Sequence, residues 1–169
     1  MKTKKQLWFA VVVATPLAAL AGAASATPGS GATATVIARA AFADAVDLKL
    51  EIKDDHRGRD VIQVRNAGDT VIQQIVFGTN SLSGWHSHPG PAIILVKSGE
   101  LTFYSADDPG CTGRAFSAGQ AFIEPPGLVH FARNESSSQI AEVGVTYFDV
   151  PPESASPRID EPNPGNCPF

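Results

Sequence analysis

Between Val61 and Asp149 the chain is a succession of short apolar runs cut by turn residues, a pattern few architectures accept. The runs are Val61 to Val64, Thr70 to Gly78, Leu82 to His88, Ala92 to Lys97, Leu101 to Ser105, Arg114 to Phe116, Gln120 to Glu124, Val129 to Arg133 and Gln139 to Asp149. Gly, Pro, Asn, Asp or Ser divides each from the next. Fifteen Gly and thirteen Pro in 169 residues fit many tight turns. An all-β domain follows, built as a sandwich or a barrel. Lys97-Ser98-Gly99-Glu100 reads as a hairpin turn, and Asp107-Asp108-Pro109-Gly110 as a second turn.

The two ends differ from this middle. Lys2, Lys4 and Lys5 precede an apolar run from Leu7 to Leu20, and Ala24-Ser25-Ala26 then gives the small-residue pattern of an export signal. Cleavage after Ala26 is expected; the alternative is an uncleaved membrane anchor, against which Pro16 counts. Removing the three lysines leaves ten basic against seventeen acidic residues, a formal charge of −7. An acidic chain with no cluster of Lys and Arg has no nucleic-acid footprint. Residues 27–60 read as a flexible lead-in followed by a possible first strand, Val46 to Ile52, with His56 in a charged turn. After Val150 the tail is too rich in proline to join a central strand. Cys111 and Cys167 are the two cysteines, and in an oxidising compartment a bond between them would tie residues 151–169 to the domain; two free thiols are the alternative.

Three of the four histidines fall in two stretches, Gly84-Trp85-His86-Ser87-His88 and Gly119 to His130. An alternating His-x-His in a strand places both imidazoles on one face, and a third histidine after a Pro/Gly turn could converge on them. Three imidazoles suffice to hold a divalent metal such as iron, zinc, manganese or copper.

The spacing Gly119, five residues, Pro125, one residue, Gly127, two residues, His130, three residues, Asn134 resembles the second motif of the cupin family at each marked position. His86, His88 and Gly99 match part of the first motif. The resemblance implies a single cupin double-stranded β-helix, or jelly-roll barrel, over residues 61–150, with His86, His88 and His130 as metal ligands. It also implies that such barrels can pair as homodimers. One position departs: counting back from Gly99 puts Ala92 where the family's first motif carries a Glu. An empty slot would leave a bound ion its full +2 charge. Glu124 is the best candidate for a replacement, ahead of Glu100, Gln73 and Gln74.

Counting by twos from the histidines lines the pocket with Leu82, Ile94, Val96, Leu128 and Ala132, which is small and apolar. Phe103 or Tyr104, and Tyr147 or Phe148, could close it. Two functions remain open: an exported metalloenzyme, oxygenase-like, acting on a small molecule, and a non-catalytic extracytoplasmic protein that binds a small molecule or a metal. A barrel that keeps these histidines without metal is the plain alternative to both.

Overall fold

The computed structural model describes residues 27–54 and 58–169. The expected export signal and His56 lie outside the described residues. Among these there is no helix. The strands are β1 (Ser30–Ala40), β2 (Leu48–Asp54), β3 (Gly58–Val64), β4 (Asp69–Leu82), β5 (His86–Ser87) and β6 (Ala92–Ser98). They continue as β7 (Glu100–Ser105), β8 (Arg114–Ser117), β9 (Ala121–Glu124), β10 (His130–Arg133), β11 (Ala141–Val150) and β12 (Ile159–Asp160).

Ten strands form one antiparallel sheet that curls into a nearly closed jelly-roll barrel. One arm runs β1-β4-β11-β6-β9 and the other β12-β5-β10-β7-β8, and β10 meets β4 where Arg133 pairs with Leu82. Strand β11 shows why these residues make strands: Ala141, Val143, Val145 and Tyr147 point inward while their neighbours face outward. A register shift after Tyr147 then returns Val150 to the interior. The main core gathers Val71, Phe77, Ile94, Val96, Leu101, Phe103, Phe116, Val143, Val145 and Tyr147. A second cluster of Trp85, Phe131 and Cys167 sits behind the histidine strands.

Three expectations change. Thr27 to Thr35 was expected as lead-in, yet Ser30–Ala40 is a strand paired along β4 from Leu82 to Thr70. Its small residues let it lie close over the barrel, with Ala32 and Ala34 facing the cavity. Second, Val61 to Val64 does not join the barrel sheet; β3 pairs with β2 in a separate hairpin, from Leu48 opposite Val64 to Asp54 opposite Gly58. Third, the turn at Gly99 is a crossover and not a hairpin, because β6 pairs with β9 and β11 while β7 pairs with β8 and β10. Gly99 has φ +71°, and a Cβ there would lie 2.4 Å from the Ile140 carbonyl oxygen.

The tail is fixed at several points. The Cys111–Cys167 disulfide closes a 56-residue separation with Cα atoms 5.2 Å apart. In the chain-entropy view such a bond contributes about 4 kcal/mol by restricting the unfolded chain. Arg39 on β1 pairs with Asp69 at 2.6 Å and donates to the carbonyls of Pro151 and Ser154. Ile159 and Asp160 then add to the sheet edge opposite Ser87 and His86.

Candidate metal centre

The local chain explains how three histidines meet. His86 on β5 and His130 on β10 are directly opposed in an antiparallel pair, so their side chains share the inner face. His88 follows by one period of the strand and reaches the same space. Gly84 makes the approach possible: its φ is +71°, and a Cβ would lie 2.1 Å from the Thr27 carbonyl oxygen. The rings of His86 and His130 are 4.2 Å apart between centroids, and His88 stands 5.0 and 5.1 Å from them. All three residues are buried.

Each Nδ1 faces a backbone carbonyl, which can only accept. His86 Nδ1 donates to Gly84, His130 Nδ1 to Leu128 and His88 Nδ1 to Pro157 of the tail, each at 2.8 Å. The proton of a neutral ring therefore sits on Nδ1, and the Nε2 lone pair is left toward the centre. Burial holds His86 well below its usual 6.5, helped by the charges of His130, His88 and Arg158, against the Gly84 carbonyl. Burial likewise lowers His130, while the Glu124 charge opposes that shift. Both rings are neutral at pH 7.

The Glu124 carboxylate at the end of β9 completes the arrangement. Its Oε2 lies 3.2 Å from His88 Nε2 and its Oε1 3.3 Å from His130 Nε2, with the side chain 6% exposed. Glu124 is the register partner of Ala92, the slot left empty in the first motif. Opposed residues of an antiparallel pair project to the same face, so the acid reaches that slot from the neighbouring strand.

These residues fit a metal. Ligand atoms of His86, His88 and His130 lie within 4.8 Å of one another. Among the described residues His130 Nε2 is buried with no hydrogen-bond partner, which is costly unless a cation takes its lone pair. Metal–ligand bonds of about 2.1 Å separate neighbouring donors by roughly 3.0 to 3.4 Å, the spacing between Glu124 and the two nitrogens. Lone pairs facing a carboxylate at such distances repel unless a proton or a metal cation lies between them.

Residues 74–147, from β4 to β11, match the profile described as a cupin domain. The chain carries a domain of the cupin family. Among curated proteins, none matches the chain. Solved structures that resemble this cupin include the polyketide cyclase RemF from Streptomyces resistomycificus, at 20% identity over 54% of this chain and 59% of that one, TM-score 0.45. An oxalate oxidase in complex with the substrate analogue glycolate resembles it at 27% identity over 54% of this chain and 45% of that one, TM-score 0.43. A cupin-like protein from Thermotoga maritima does so at 22% identity over 55% and 65%, TM-score 0.43. The chain thus spans less than two thirds of each of these three.

Within this cupin a cavity of about 390 Å³ opens from the histidines, bounded by β1, β4, β6, β11 and the tail. Leu82, Ile94 and Ala132 line it. Val96 does not: further along β6, it is packed in the core. Leu128 does not either, because the turn at Gly127 carries it to a cleft beside Phe103 and Arg114. Gln73 faces the cavity, whereas Gln74 donates to Glu142 and Glu100 accepts from Ser117 on an exposed surface. Phe103 stacks on His130 at 5.1 Å and Tyr147 packs against His88 at 4.8 Å. Burial and the Glu124 charge push the Tyr147 phenol above its usual 10, so it stays a donor at neutral pH. Asn134, the last residue of the second motif, is structural: its amide nitrogen donates to the Gly78 and Gln139 carbonyls. Two site residues carried no sequence signal, Pro157 and Arg158, because long-range contacts, the disulfide and the β12 pairing among them, bring the tail to the histidines.

Proposed function

We propose that this is an exported cupin whose divalent metal is held by His86, His88 and His130 Nε2 and by Glu124, and which acts on a small molecule bound in the adjoining cavity. The observation that carries the reading is the buried carboxylate facing two Nε2 atoms whose rings already spend their proton on a carbonyl. A metal so held supplies Lewis acidity toward an oxygen of the bound molecule. The protein's own groups do the rest. The Nδ1–carbonyl bonds fix the imidazoles, Tyr147 and Gln73 offer polar contacts, and the apolar wall excludes water. Iron, zinc, manganese and copper all suit such a donor set. The disulfide is compatible with an oxidising location outside the cytoplasm, in keeping with a cleaved signal over residues 1–26.

A second reading, capture of a small molecule without turnover, is favoured by the composition of the cavity wall. Among the described residues, apart from Glu124, which faces the histidines, and Asp160 at the tail, it offers no carboxylate to act as a general base. Elemental analysis of protein purified from its exported location tests the metal reading. About one divalent metal per chain, lost in His86→Ala, is expected; metal-free protein that keeps its fold and does not take up metal would sink it. Oxygen uptake or product formation with loaded protein separates enzyme from binder.

A further inference from the structure

The tail brings one more charged group to the cavity, and neither the cupin barrel nor the metal reading requires it. Arg158 lines the cavity together with His86 and His88. Both of its neighbours are anchored: the Pro157 carbonyl accepts from His88 Nδ1, and Ile159 pairs with Ser87. Glu161 extends the hold, since its amide donates to the Trp85 carbonyl at 3.0 Å and its carboxylate accepts from Ser87 Oγ at 2.7 Å. The backbone at Arg158 is thus held beside the cavity, and its side chain is 27% exposed. Its Nε is paired with Asp160, which also lines the cavity.

The rest of the wall is largely apolar, including Ile75, Phe77, Leu82, Ile94 and Val143. Asp160 engages only the Nε of this partly exposed guanidinium, and a further anion inside the cavity would complement its remaining donors. A dication at the histidines and Arg158, set against Glu124 and Asp160, leaves one positive charge over. A monoanion cancels it; a dianion overshoots. A cavity of about 390 Å³ is at the small end of the range of roughly 300 to 1,000 Å³ that takes small-molecule ligands.

We propose that the cavity selects a small monocarboxylic acid with an apolar body, its carboxylate held between the histidine centre and Arg158. The proposal deepens the metal-centre reading and rests on it. A planar guanidinium suits a carboxylate because it presents paired donors at matching spacing. The apolar body would lie along β4, β6 and β11.

The test is calorimetric titration of the disulfide-intact protein, metal-loaded and metal-depleted, with hexanoate, benzoate and the neutral isostere hexanamide. The native chain, Arg158→Gln and Arg158→Lys are compared, with metal content measured on every sample. Both acids should bind, and hexanamide at least roughly ten-fold more weakly. Arg158→Gln should weaken hexanoate roughly ten- to hundred-fold while metal content and hexanamide binding hold, and Arg158→Lys should recover part of the loss. Equal binding of acid and amide overturns the proposal. So does an unchanged hexanoate affinity in Arg158→Gln, or no heat from either acid in the millimolar range. Protein that takes up no metal sinks the metal centre instead; an Arg158-dependent preference for the acid in that sample still supports selection by Arg158, and its loss overturns it.

Discussion

Ala92 and Glu124 are register partners across β6 and β9, and both side chains turn to the barrel interior. The carboxylate and the empty slot are therefore two positions on one face, separated by a strand spacing. Glu124→Gln should cut metal affinity at least about ten-fold, measured by competition with a chelator. Moving the acid across the pair, Ala92→Glu with Glu124→Ala, should restore most of the loss. A double variant no better than Glu124→Ala would show that the position of Glu124, and not its proximity to this slot, is what matters.

Reduction separates two contributions of the tail. In urea unfolding, Cys111→Ser with Cys167→Ser should lose about 4 kcal/mol from the freed unfolded chain. The same variant should also bind metal more weakly, because the Pro157 carbonyl that orients His88 is then held without the covalent link, by the β12 pairing and the Arg39 and Glu161 contacts. Unchanged metal affinity in the folded double variant would mean that these non-covalent contacts suffice to position the carbonyl.

Acid should destabilise the metal-depleted protein in a defined direction. Unfolded histidines protonate near about 6.5, while His86 and His130 in the folded protein resist protonation to lower pH. As pH falls below about 6.5 the unfolded chain takes up protons that the folded one does not, so stability drops until the lowered folded values are reached. Above that window these two residues make no pH-dependent contribution. Thermal melts from neutral to mildly acid pH should show the decline, and His86→Ala should flatten part of it.

Gly84→Ala should be poorly tolerated. The residue holds φ +71°, and its Cβ would collide with the Thr27 carbonyl at 2.1 Å. Left-handed strain alone costs about 1 to 3 kcal/mol, and relief of the collision would shift the chain that leads into His86. A lowered melting temperature together with reduced metal content is expected. Normal values for both would show that Thr27 yields instead.

Most of the barrel was legible because its strands alternate cleanly, as β11 does, and because Gly and Pro separate them. Strand β1 was hidden by its composition: Ala and Thr carry little alternation, yet small residues are what a strand covering the cavity needs. The crossover at Gly99 looked like a hairpin because a tight turn between two apolar runs is the same in sequence either way; only the partners chosen by β6 and β7 distinguish them. The three histidines could be found by spacing along the chain. Glu124 could be nominated but not aimed, since its facing depends on the register between β6 and β9. Arg158 lay beyond reach, because its place follows from a covalent link made elsewhere.

That link has a consequence for the order of assembly. Barrel pairing alone brings His86 and His130 together, since they oppose each other across β5 and β10. His88 receives its orienting carbonyl only from the tail, whose far end is fixed by Cys167. On the metal-centre reading, oxidation of the two thiols would complete the restraint on the third imidazole, and a thiol-rich environment would leave the tail to the β12 pairing and its side-chain contacts. A protein built this way would gain its tightest hold on a metal after it has met an oxidant.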